Sequence, residues 1–188
     1  MNRVRGATIR LLTLVAVTTP SWAKGDMVLI EIMGGHLPST IMITDPKIND
    51  FNIWAGPGVN GVALNQAEGF IINWTAGVAS PSGRDAEHYQ VSFYVGCRTI
   101  PDDPKCLAEK AHLAYVVLYD YDRKSKQGFV YLPRINEPWG DLNGGSIYRG
   151  KGVEGHWFRA TEAWQSFVQP ILDKRMPGAS APDTSNPR

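Results

Sequence analysis

The sequence predicts a β-rich α+β domain: an antiparallel sheet or sandwich with one short helix and a docked C-terminal helix. Three observations predict it. Glycine (19) and proline (13) are frequent across 188 residues, which suits many turns rather than a helical bundle. Tyr89 to Val95 alternates between faces, with Tyr89, Val91, Phe93 and Val95 on one side and Gln90, Ser92 and Tyr94 on the other, the period of a half-buried strand. Only one long segment, after Thr161, carries apolar residues at helical spacing. The length fits a single domain. With 43% hydrophobic and 20% charged residues the chain is globular rather than disordered, and a net charge of +1 gives no excess to attract nucleic acid.

Taken in order, residues 1–23 read as a signal peptide. Arg3, Arg5 and Arg10 precede an apolar run from Leu11 to Val17, and Ser21-Trp22-Ala23 offers small residues where a signal peptidase cuts. The run is too short to span a bilayer, so the expected location is secreted or periplasmic, with no membrane span once the signal is removed. Met27–Met33 and Thr40–Thr44 read as strands joined through the Gly34-Gly35 turn. Asp45-Pro46 then starts a short helix to Asn52, with Asp45 as N-cap and proline at the first helical position.

Phe70–Thr75 reads as a strand and Gly77–Glu87 as an exposed loop. Tyr89–Val95, Leu113–Tyr119 and Phe129–Leu132 follow as strands, the last two joined by the charged turn Asp122–Gly128. Ile147–Arg149 and Trp157–Arg159 are short strand candidates. Thr161 caps the C-terminal helix. Its stripe is Trp164, Phe167, Val168, Ile171 and Leu172, and Pro170 threatens to bend its end. The folded domain is expected over 24–175, and 176–188 has the composition of a disordered tail.

Cys97 and Cys106 are the only cysteines. In an exported chain such a pair is expected to form a disulfide, here across a polar loop with two prolines. Two cysteines with no nearby histidine supply too few ligands for a structural zinc site.

Gly34-Gly35, Ile43-Thr44-Asp45-Pro46 and Phe51-Asn52-Ile53-Trp54-Ala55-Gly56-Pro57-Gly58 resemble the opening of a group of uncharacterised bacterial secreted proteins. Gly128-Phe129-Val130-Tyr131-Leu132-Pro133, Arg149 and Glu154-Gly155-His156-Trp157-Phe158 through Ala163-Trp164 resemble its closing half. The resemblance implies a bacterial exported domain and no particular chemistry.

Motifs of familiar enzymes are missing or misplaced. Gly56–Gly61 and Gly150–Gly155 both match G-x-G-x-x-G, but neither joins a strand to a helix as a dinucleotide site requires. Gly145–Lys151 matches most of a P-loop, with Gly152 where the Mg²⁺-holding Ser or Thr should stand. There is no G-x-S-x-G elbow. His36, His88, His112 and His156 are dispersed and read as surface or structural residues unless the fold gathers them. No cofactor and no metal site is expected.

The remaining candidates are Asp120 and Asp122, which share a strand face by period two and either face a cation or run into a charged hairpin turn. Trp54 and Trp139, beside Gly/Pro loops, are the tryptophans best placed to be exposed for stacking or anchoring a partner; Trp164 belongs to the core. Asn73-Trp74-Thr75 is a glycosylation sequon only in a eukaryotic secretory pathway. These features favour an extracytoplasmic binding or interaction module for an unknown ligand or protein partner. The alternative is an exported hydrolase whose catalytic groups meet only in the fold.

Overall fold

The computed structural model describes residues 26–51, 70–80, 83, 85–96, 111–144 and 153–175. The expected signal peptide, the Cys97–Cys106 pair, Trp54, the Gly56–Gly61 loop, the Ile147–Arg149 strand and the tail 176–188 lie outside these residues.

Among the described residues the strands are β1 (Met27–Gly34), β2 (Ile41–Ile43), β3 (Val78–Ala79), β4 (Glu87–Val95), β5 (His112–Asp122), β6 (Gln127–Tyr131) and β7 (Trp157–Arg159). They form one antiparallel sheet in the order β2-β1-β4-β5-β6-β7-β3. Of the two β arrangements expected, the chain adopts the single sheet with helical segments packed against it. The helices are α1 (Gly140–Gly144) and α2 (Glu162–Arg175), with 3-10 turns η1 (Pro46–Phe51) and η2 (Trp74–Ala76).

The β1–β2 hairpin turns at Gly34 and Gly35, whose φ angles are 101° and 58°, a region that costs glycine nothing. A side chain at Gly35 would also strike the ring of Tyr89, and one at Gly128 the ring of Tyr119. Each tyrosine thus lies over a glycine on a neighbouring segment, and the two rings stack with centroids 6.2 Å apart.

Pleating divides the sheet into two faces. The inner face carries cross-strand rows such as Ile30–Phe93–Tyr115, Ile32–Val91–Val117 and Tyr89–Tyr119–Val130–Phe158, all buried. Over them lie η1, the 70–76 segment and α2. Trp164 is fully buried and meets Phe51 and Tyr119 edge-on at 5.2 and 6.0 Å. The stripe on α2 docks as its spacing requires: Trp164, Val168 and Leu172 are buried, with Phe167 and Ile171 packed at the margin. Thr161 caps the helix, its Oγ1 accepting from the Trp164 N–H at 3.1 Å. Pro170 leaves α2 unbroken to Arg175. It stands on the exposed side, where water can take the carbonyl that lost its donor.

Two local readings need correction. Phe70–Thr75 is not a strand. Ile72 makes one isolated bridge to Ala160, and the chain then turns into η2 because the Asn73 side chain accepts from the Ala76 N–H and the Thr75 hydroxyl. The expected loop Gly77–Glu87 contains the two-residue edge strand β3 and the first residue of β4. The short helix after Asp45 is present as the 3-10 turn η1, and Asp45 caps it by accepting from the Lys47 N–H at 2.8 Å.

Candidate functional site

The outer face holds the alternate residues of the same strands, and the described residues cover only part of it. The cover is the segment that leaves β6 at Leu132 and runs through α1. β6 ends opposite Leu118, so among the described residues β5 beyond that point has no strand on its β6 side. Asn143 fills the gap. Its Oδ1 accepts from the Val116 N–H at 2.9 Å and its Nδ2 donates to the Val116 carbonyl at 2.6 Å, so one buried amide substitutes for a missing stretch of ladder. Glu137 fastens the same segment, accepting from the Tyr131 hydroxyl and from the Arg134 side chain.

Beyond this cover a cross-strand row runs Met33–Gln90–Leu118–Tyr131–Trp157. Strands stand about 4.8 Å apart, so the row spans about 19 Å. Met33 and Leu118 are exposed large apolar residues, at 38% and 36%, and the Trp157 ring packs on Tyr131 with centroids 5.2 Å apart. Met33, Gln90, Leu118 and Trp157, together with His88 and Asp120, line an open groove of about 630 Å³.

His88 and Asp120 are directly opposed on β4 and β5. The His88 Nδ1 lies 2.8 Å from Asp120 Oδ1; the histidine side chain is largely exposed and the carboxylate is buried. With the carboxylate accepting from Nδ1–H, the imidazole is held in one tautomer, and Nε2 on the other side of the ring is left as an acceptor facing the groove or solvent.

The expected site residues part company here. Asp120 belongs to the groove. Asp122 lies at the turn: its two oxygens accept from the Lys124 N–H and the Ser125 hydroxyl at 2.8 and 2.7 Å, closing the β5–β6 turn. Those bonds, the Ser125 hydroxyl first, hold its carboxyl below the ordinary value. Among the described residues no three His, Cys, Asp or Glu side chains converge to hold a metal. Trp139 is exposed, as its loop position suggested, and its Nε1 donates to Gln90 Oε1 at 3.1 Å, so it belongs to the covering segment at the groove's side. Trp54 lies outside the described residues. Sequence reasoning missed His88, Met33, Leu118 and Trp157. The signal was present in the alternation of β4 and β5, but it needed the strand register to become a site.

A larger depression, about 880 Å³, lies between η1, η2 and α2, with Phe51, Phe70 and Phe167 among its walls. Phe51 and Phe70 flank the segment 52–69, which lies outside the described residues.

At the inner-face rim, Glu87 is buried and accepts from the Tyr89 hydroxyl at 2.7 Å and from Arg123 Nε at 2.9 Å. Arg123 also donates to Asp173 near the end of α2 at 3.0 Å. Burial pushes the Glu87 carboxyl up, but the bonds from Arg123 and Tyr89 and the Arg123 charge outweigh it and leave the carboxyl below its ordinary value. This cluster ties β4, the β5–β6 turn and α2 together, and it is structural.

No helix among the described residues is long and apolar enough to cross a membrane. The chain matches no protein-family model, no curated protein and no solved structure.

Proposed function

We propose that the protein is an exported binding module that takes its ligand in the outer-face groove. The observation that carries this reading is the row of part-exposed apolar side chains, Met33, Leu118 and Trp157, beside a histidine held by a buried carboxylate. An apolar wall with a few oriented polar groups is the usual make-up of a ligand site. Export rests on the leader sequence, and mass spectrometry of the protein from its native compartment tests it: Lys24 should be the first residue.

A thermal-shift screen of sugars, metals and peptides tests the groove, because a ligand that binds only the native state raises the melting temperature. Leu118→Arg, which fills the groove from an exposed position, should abolish the shift produced by any ligand found. A ligand that stabilises both proteins equally would place binding elsewhere.

The His88–Asp120 pair favours a second reading, an exported hydrolase in which His88 accepts a proton from an attacking water. A purified protein that hydrolyses ester or glycoside substrates, and loses that activity on His88→Gln with unchanged melting temperature, would establish it in place of the first.

A further inference from the structure

We infer that the groove's ligand is a neutral saccharide, held with its C–H face on Leu118 and Trp157 and a hydroxyl donating to His88 Nε2. The inference rests on the binding reading above and narrows its ligand.

Charge argues first. Among the described residues that line it there is no lysine or arginine, and their one carboxylate, Asp120, is bonded to His88. The described lining thus offers no cation for a phosphate or an acidic peptide, and no cluster of carboxylates for a metal ion or a polyamine.

Backbone chemistry argues second. The groove floor is formed by β1, β4 and β5, whose main-chain groups pair along their registers. An extended peptide gains its affinity by adding to an unpaired strand edge, and the floor presents none. Recognition there falls to side chains.

The side chains argue third. A wholly apolar ligand would cover His88 and leave its Nε2 without a donor, at a cost. A small polar ligand would leave the apolar wall wet. A pyranose ring meets both demands, because it carries C–H groups on its faces and hydroxyls on its rim. Asp120 acts here as a positioning residue, since by accepting from Nδ1–H it keeps Nε2 free to accept.

The test is an NMR titration of the purified, ¹⁵N-labelled protein with cellotriose, tri-N-acetylchitotriose, p-cresol and trialanine. At least one of the sugars should move the Trp157 indole N–H and the His88 ring nitrogens together. His88→Phe keeps a ring at an exposed position and removes the acceptor, so it should weaken sugar binding about tenfold. Asp120→Asn should change the ¹⁵N pattern of the His88 ring from the Nδ1–H tautomer and weaken the sugar too, a signature that a purely structural role for Asp120 would not produce. If p-cresol or trialanine moves Trp157 and neither sugar does, the saccharide inference fails and the groove stands as a binding site. If no probe moves Trp157, or a sugar binds while Trp157 and His88 stay still, both the inference and the groove fail.

Discussion

On the inner face of β1, β4 and β5, residues such as Ile32, Val91, Phe93 and Val117 are wholly buried; one position along, on the outer face, Met33, Leu118 and His88 are open to solvent. The same strands therefore carry a sealed face and an open one. The inner face is closed by apolar packing from α2, which is non-directional and tolerant of detail. The outer face is closed, where it is closed, by directed hydrogen bonds from Asn143, Glu137 and Trp139. Stability should depend on the first face, and recognition on what the second leaves uncovered.

The hardest break should come from the inner face. Trp164→Ala removes the fully buried centre of the α2 stripe and should cost about 3–5 kcal/mol, read as a lower urea midpoint. Asn143→Leu tests the outer cover. It keeps an apolar side chain of similar size but orphans the Val116 N–H and carbonyl, and should cost about 2–4 kcal/mol. A loss as large as that of Trp164→Ala would mean the two faces are equally structural.

Acid probes the rim where the faces meet. Because the folded Glu87 carboxyl lies below its ordinary value of 4.5, its contribution is fully present above that pH and is lost as pH falls through the lower, folded value. Urea midpoints of the wild type and Glu87→Gln should differ near pH 6 and converge as the pH is lowered beneath 4.5; a gap that persists unchanged in acid would remove Glu87 from the account. The smallest effect should be Leu118→Ala on the open face, within about 1 kcal/mol because the side chain is already part-exposed. A larger loss would show that the groove is part of the core.

The sealed face was legible because its cause is local. Alternation in Tyr89–Val95 and the i, i+3, i+4 stripe after Thr161 each declare which residues go inside. Phe70–Thr75 misled because a short apolar run fits a strand, a bridge or a buried turn equally, and the Asn73 side chain decided among them. The glycine-bounded α1 has no helical pattern to read; it is held by the bonds of its own Asn143 to the Val116 backbone. The groove was hidden for a different reason. His88 and Asp120 are 32 residues apart in sequence, and only the β4–β5 register places them opposite each other. Asp120 and Trp139 could be singled out by residue type, but their partners could not.

Among the described residues the sheet ends in a three-residue strand, β2, on one side and a two-residue strand, β3, on the other. Each terminal strand leaves few unpaired N–H and C=O groups, although Met42 and Val78 on them are exposed. Long, flat, sticky edges are where sheets recruit other chains into aggregates. By tapering to stubs on both flanks, a sheet whose middle strand runs for 11 residues denies a second copy the length of backbone it would need to join on. Lengthening either stub, rather than adding more apolar surface to it, is the change that would turn this sheet toward fibres.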